Sequence, residues 1–222
     1  MPADLLVRRL GLREYEPTWC AMQRFTDGRD TTTPDELWQV EHPPVFTLGM
    51  NGKREHILNA GDIPVVPIDR GGQVTYHGPG QALVYLMLDI KRRHLGVRQV
   101  VEQMEQAIIQ LLADHNIEAY GRRDAPGVYV KNTDTEMKIA ALGLRVRRGC
   151  SYHGLALNID MNLEPYQRIN PCGYAGMAIT QMSALHESPE IHPIQDQLCQ
   201  KLAEQLNYST PHYLAPEEST LP

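Results

Sequence analysis

Three stretches of the chain carry residue types and spacings that ordinary packing does not call for. In Asn170-Pro171-Cys172-Gly173-Tyr174-Ala175-Gly176 a cysteine is bracketed by proline and glycine. That places it in irregular chain, where a thiol can be exposed and backbone N–H groups can face an oxyanion. A thiol attacks as its thiolate, and with an ordinary pKa of about 8.5 it needs a base or a cation beside it. Lys138, His77 and His153 are the candidates, and spacing does not choose among them. Cys20 and Cys199 fall in helical patterns and Cys150 in a predicted turn. With no CxxC pair among the four, neither a disulfide framework nor a metal site is expected.

The second stretch is Met137-Lys138-Ile139-Ala140-Ala141-Leu142-Gly143-Leu144, a lysine at the head of an apolar run. Either its ammonium snorkels to water, or it is partly desolvated and exchanges protons more readily than a free lysine. The third is Arg70-Gly71-Gly72-Gln73-Val74-Thr75-Tyr76-His77-Gly78-Pro79-Gly80-Gln81. Its glycines allow sharp turns and close approach of a ligand to the main chain; a tight hairpin with polar tips explains the same composition. Neither the phosphate-loop pattern nor the dinucleotide GxGxxG is present.

The elements that must position these stretches are legible from periodicity. Apolar residues at Val97, Val100, Val101, Met104, Ala107, Ile108, Leu111 and Leu112 predict a helix from Val97 to about His115, with Glu102, Gln103, Glu105, Gln106 and Gln110 on its other face. Ile194, Leu198, Leu202 and Leu206 predict a second, from about Pro193. A short helix from Pro17 to about Phe25 follows a first strand, Leu5 to Leu10. Extended runs are expected at 37–41, 45–48, 82–90, 127–130, 139–146 and 152–159, the last two as an antiparallel hairpin. Strands and helices do not alternate strictly. The expected class is therefore α+β, a mixed and largely antiparallel sheet with helices packed on one side.

At 222 residues one domain is expected, over 1–210, since domains run to roughly 100–200 residues. The polar, proline-bearing 211–222 is expected to be a loose tail. Lys plus Arg number 21 against 27 Asp plus Glu, which leaves no broad cationic footprint for nucleic acid. The longest apolar run, Ala82 to Leu88, is far short of the roughly 20 residues that span a bilayer. The first nine residues lack the apolar stretch of a secretory signal, so a cytoplasmic protein is expected.

Taken together and in order, RGGQVTYHGPGQ (70–81), MKIAALGLRVRRGCSYHGLALNID (137–160) and NPCGYAGM (170–177) resemble the lipoyl(octanoyl) transferases, over about residues 5–207. The resemblance implies the α+β catalytic domain shared with lipoate- and biotin-protein ligases. It implies transfer of an octanoyl group from octanoyl-acyl carrier protein to a lysine of a lipoyl domain, by a monomer and without a cofactor. The acceptors would be 2-oxo acid dehydrogenase acyltransferase subunits and the glycine cleavage H protein. The family's acyl-thioester cysteine falls on Cys172 and its lysine partner on Lys138. Its substrate-binding stretches fall on Arg70, Gly71, Gly72, Gln73, Val74, Thr75, Tyr76 and His77, on Ala141, Leu142 and Gly143, and on Gly154, Leu155 and Ala156.

A slot lined by these residues would gain roughly 0.8 kcal/mol per buried CH₂ of the acyl chain. His77 and His153 either polarise the substrate or serve as structural hydrogen-bonders. Arg147 and Arg148 either meet an acidic carrier protein or stay solvated at the hairpin tip. The polar segment 132–136 is left without a role. The main alternative is an ATP-dependent lipoate-protein ligase, which forms an acyl-adenylate and needs no nucleophilic cysteine. A non-catalytic binder and a cysteine hydrolase rank behind it.

Overall fold

The chain opens with strand β1 (Leu5–Leu12), helix α1 (Tyr15–Gly28) and strands β2 (Asp35–Glu41), β3 (Val45–Leu48), β4 (Val65–Pro67), β5 (Val74–His77) and β6 (Gln81–Met87). Helix α2 (Val97–Asp114) follows, then β7 (Ala119–Gly121), β8 (Val128–Asn132), β9 (Thr135–Arg147) and β10 (Cys150–Asn158). Helix α3 (Ile191–Gln205) and a short β11 (His212–Tyr213) complete it. This computed structural model describes residues 4–132, 135–185 and 190–222. Thr133 and Asp134, within the polar segment 132–136, lie outside the described residues.

Eight strands form one sheet in the order β11-β1-β2-β6-β10-β9-β8-β7, and β4-β3-β5 form a smaller one. β1 pairs in parallel with β2 and β11, and every other pairing in the large sheet is antiparallel. The class is α+β with a mixed, largely antiparallel sheet, as expected. The β9–β10 hairpin turns through Arg148 and Gly149, both left-handed at φ 54° and 85°. That is the backbone a tight two-residue hairpin requires. Cys150 is therefore the first ladder residue, opposite Arg147.

The apolar stripes of α2 and α3 pack on one face of the large sheet, against Leu5, Leu37, Val84, Leu86, Leu155 and Leu157. The expectation that all helices share this face is corrected by α1. Its Ala21 and Met22 pack on the opposite face, against Trp38, Val40, Leu83, Tyr85 and Tyr152. The reason lies in β6, whose run Gln81–Met87 is buried throughout. A central strand that is apolar from Ala82 through Met87 needs cover on both faces.

The segment expected to be a loose tail is partly tied down. His212 and Tyr213 pair with Leu6 and Val7, Arg9 lies 4.1 Å over the Tyr213 ring, and Ser219 is buried. β1 would otherwise present an open edge, and the tail supplies the missing ladder partner. Arg147 pairs with Asp27 of α1 at 3.1 Å, and Arg148 donates to the Asp27 carbonyl at 3.1 Å. These hairpin-tip cations are thus engaged within the chain. Among the described residues no helix is long and apolar enough to cross a membrane.

Gly80 ties the loop before β6 to the end of β10. Its carbonyl accepts from the N–H groups of Ile159 and Asp160 at 3.2 and 3.1 Å. Its φ is +85°, and a Cβ there would lie 1.9 Å from the Asp160 carbonyl oxygen. Gly80→Ala is expected to lower the unfolding free energy by about 2–3 kcal/mol through strain and overpacking. Urea unfolding reads this as a lower midpoint at unchanged slope; an unchanged midpoint would contradict it.

Candidate active site

Strand β9 gathers the three chemically suggestive stretches. The 70–73 loop docks on it through Gly71, whose N–H donates to the Leu144 carbonyl at 3.1 Å. Strand β10 lies alongside, with Gly154, Leu155 and Ala156 opposite Gly143, Leu142 and Ala141. The segment around Cys172 is stitched down at both ends. Asn170 N–H donates to the His56 carbonyl at 2.7 Å, Lys138 N–H to the Ala178 carbonyl at 2.8 Å, and Thr180 N–H to the Lys138 carbonyl at 3.0 Å. The backbone of Lys138 is thus bonded to the same strap that carries the cysteine.

The two side chains meet. Lys138 Nζ donates to Cys172 Sγ at 3.0 Å and to the Pro126 carbonyl at 3.0 Å, and lies 5.3 Å over the Tyr129 ring. Lys138 is only 3% exposed, so the snorkelling alternative is set aside. Room for it comes from Gly127, at φ +149°, where a Cβ would stand 2.4 Å from Lys138 Cε. Cys172 has φ 57° and Gly173 φ 81°, two successive left-handed residues in a turn closed by Gly173 N–H on the Asn170 carbonyl at 3.0 Å. A non-glycine residue held there costs of order 1–3 kcal/mol, and here the turn aims Sγ at the lysine.

Cys172 borders a cleft that is partly open to solvent and predominantly apolar. Its walls come from the 70–77 segment, from 141–143 of β9 and from 154–156 of β10, with Leu83 and Tyr85 of β6 and Tyr15 of α1. A second groove meets Cys172 from outside, flanked by Val97, Pro126, Leu144 and Tyr174.

The polar groups around the cleft are held uncharged or fully partnered. His77 donates through Nδ1 to Gln81 Oε1 at 2.7 Å and accepts at Nε2 from Thr47 Oγ1 at 3.3 Å, the donor assignment following the Gln81 amide network. Burial foremost, with His42 nearby, lowers its pKa to about 3. Burial likewise lowers His42 to about 4. His153 is pushed down by burial while its Nε2 donates to Asp69 Oδ1 at 3.0 Å. Asp69 also accepts from Trp19 Nε1 at 2.8 Å, Gln23 Nε2 at 3.2 Å and the Tyr152 hydroxyl. These donors outweigh burial and hold its carboxyl well below the usual range. Tyr152 and His153 are consecutive strand residues that would normally face opposite ways; the left-handed φ of 62° at His153 turns both toward Asp69.

Comparison with known proteins decides the family. The chain is 59% identical over 204 residues to the octanoyltransferase of Shewanella frigidimarina, covering 92% of this chain and 93% of that one. It is 57% identical over 209 residues to the octanoyltransferase of Pseudomonas fluorescens, covering 94% and 95%. The lipoyl protein ligase A/B catalytic domain model matches residues 14–203. The chain belongs to the octanoyltransferase family. Among solved structures, a bi-partite lipoate protein ligase from Thermoplasma acidophilum superposes with a TM-score of 0.73 at 15% identity, over 99% of this chain and 90% of that one. Lipoate-protein ligase A bound with ATP gives 0.71 at 14%, over 99% and 92%. At that identity the likeness is one of fold.

The residues that the family resemblance singles out mostly converge. Arg70, Gly72, Gln73, Val74, Thr75, His77, Ala141, Leu142, Gly143, Gly154, Leu155 and Ala156 line the cleft with Cys172. Two do not: Gly71 borders the outer groove, and Tyr76 packs against Phe46 and Tyr166 beneath the loop. Arg70 is buried, and its guanidinium donates to the carbonyls of Gly71, Thr47 and Gln73 and to Thr47 Oγ1, each at 2.9 Å. It therefore organises the loop. Tyr15, Leu83, Tyr85 and Asp69 were not singled out. Leu83 and Tyr85 are foreshadowed by the β6 pattern, while Tyr15 and Asp69 have no local signal.

The lowered histidines make stability depend on pH. An unfolded histidine takes up its proton near pH 6.5, whereas His77 and His42 stay neutral in the fold to about 3 and about 4. The unfolded chain thus binds more protons between these values, and this stabilising contribution, complete above pH 6.5, is lost as pH falls. The unfolding free energy from denaturant melts should drop from pH 7 to pH 4.5, by up to about 1.4 kcal/mol per pH unit for each histidine. A stability that stays flat over this range would contradict neutral burial of the pair.

Proposed function

We propose that the chain moves an octanoyl group from octanoyl-acyl carrier protein to a lysine of lipoyl domains, through a thioester on Cys172. The contact of Lys138 Nζ with Cys172 Sγ at 3.0 Å, at the edge of an apolar cleft, carries this reading. An ammonium beside the sulfur favours the thiolate, which attacks the donor thioester carbonyl. The carrier thiolate leaves and takes a proton from Lys138. This exchanges one thioester for another, so the intermediate is not a thermodynamic trap. The acceptor amine then attacks the Cys172 thioester and gives its proton to the now neutral Lys138. An amide forms, the carbon–sulfur bond breaks, and thiolate and ammonium are restored.

The cleft takes the acyl chain along β9 and β10. The walls at 141–143 and 154–156 and the residues 70, 72–75 and 77 enclose it, with Gly71 and Tyr76 supporting the loop from outside. The outer groove at Cys172 leaves a separate approach for donor and acceptor. Acceptors would be the lipoyl domains of 2-oxo acid dehydrogenase acyltransferase subunits and the glycine cleavage H protein, met in the cytoplasm. The Thermoplasma ligase of the same fold was described together with its E2 lipoyl domain, which supports an acceptor of this kind.

Intact-mass spectrometry after mixing with octanoyl-acyl carrier protein, with neither ATP nor magnesium, should find one octanoyl adduct that hydroxylamine removes. Cys172→Ala should fold and carry none. Lys138→Ala should acylate roughly 10²–10⁴-fold more slowly, as expected for loss of a proton-transfer group. Modification of a lipoyl domain only when ATP and free octanoate are supplied would instead establish a ligase and overturn the reading.

A further inference from the structure

We infer that Glu105 is a positioning residue for this reaction: through the single peptide unit joining Pro126 to Gly127, its carboxylate holds the Lys138 ammonium against Cys172. By sequence Glu105 sits on the polar face of α2, where a glutamate ordinarily faces water. In the fold it is half-buried, and its Oε1 accepts the Gly127 N–H at 2.9 Å. The carbonyl of that same peptide unit, Pro126 O, accepts from Lys138 Nζ at 3.0 Å, and Nζ reaches Cys172 Sγ at 3.0 Å. A carboxylate, an amide, an ammonium and a sulfur therefore stand in one hydrogen-bonded row. Such rows polarise: negative charge at the N–H end makes the carbonyl a stronger acceptor for the cation at the other end.

Two glycines make room for the arrangement. At Gly127 a Cβ would stand 2.4 Å from Lys138 Cε and 2.8 Å from Nζ, so the turn closes tightly around the lysine. At Gly121 of β7 a Cβ would come within 3.0 Å of Glu105 Oε2. Burial raises the Glu105 carboxyl pKa, and the Gly127 hydrogen bond and the Lys138 charge act against that rise. The Lys138 charge thus bears on the glutamate although the two side chains do not touch. Without the carboxylate, the 126–127 peptide loses the bond that fixes its tilt, and the lysine loses its preferred acceptor geometry.

This inference rests on the Lys138–Cys172 chemistry proposed above, and its test separates the two. Glu105→Gln keeps an oxygen that can accept from Gly127. Glu105→Ala removes it while favouring the helix, so the fold should persist with a near-native melting temperature. Two readouts are compared: single-turnover acylation by octanoyl-acyl carrier protein, and alkylation of Cys172 by iodoacetamide at pH 7, assigned by peptide mapping. In Glu105→Ala both should fall roughly tenfold to hundredfold, the worth of one charge-assisted hydrogen bond, with KM for the donor unchanged. Glu105→Gln, which keeps an acceptor for Gly127 N–H and loses the charge, should fall between wild type and Glu105→Ala. Wild-type rates in Glu105→Ala, or an equal loss in Glu105→Gln, would overturn the inference. If wild type never acquires the octanoyl adduct while alkylation still separates the variants as stated, the acyl-transfer reading fails and the positioning role stands.

Discussion

A lysine ammonium taken out of water must be supplied with partners, and much of the structure around the cleft answers to that one demand. Removing a cation from water costs several kcal/mol even after relaxation, and Lys138 is almost fully buried with no carboxylate among the described residues in contact. Its partners are a peptide carbonyl, a sulfur and an aromatic face. Each requires something of the chain. The carbonyl needs a turn with glycine at 127. The sulfur needs a left-handed cysteine. The ring needs Tyr129 directly across from Lys138 in the β8–β9 ladder, which a bulge between Val128 and Tyr129 provides. The strap holding Cys172 hydrogen-bonds the lysine's own backbone on both sides, so the two side chains are carried on one hydrogen-bonded unit.

The cleft beside this pair solves a different problem. Its walls are predominantly apolar, yet they include two histidines, two tyrosines and an arginine. Burial keeps His42, His77 and His153 uncharged at neutral pH, and Arg70 is saturated by main-chain and hydroxyl oxygens. Polar side chains here set the shape of the loop and strands through hydrogen bonds within the protein, with His153 Nδ1 left unpartnered. Asp69 gathers Trp19, Gln23, Tyr152 and His153, tying α1 and β10 to the start of the 70–73 loop.

The fold is shared with lipoate-protein ligases, one of them solved with ATP bound, and a fold does not specify a reaction. What distinguishes this chain is where a thiol and an amine meet. Of its other thiols, Cys199 is buried, with its pKa pushed up to about 12, and Cys150 is raised by burial beside Asp89. Cys20 is exposed on α1. Cys172 alone among the four has the Lys138 contact.

Local information carried the helices α2 and α3, whose stripes at 3-and-4 spacing can face only one way, and the β9–β10 hairpin, where two alternating runs flank an Arg-Gly turn. It also marked the three chemical stretches, because glycine, proline and a lone lysine or cysteine at strand ends are costly without a use. The cover on the second face of the sheet was written in the unbroken apolar run of β6, a quieter signal than periodicity. The docking of residues 212–213 on β1 was not legible, since a two-residue strand exists only by pairing with its partner. Which base stands beside Cys172 belongs to the same class: Lys138 is 34 positions away, and His77 and His153 were equal candidates by spacing. The tertiary structure decided among them because contact between distant residues is set by sheet register and by where a strap is stitched. Composition and periodicity, acting over a few residues at a time, determine which elements form and leave those long-range choices to packing.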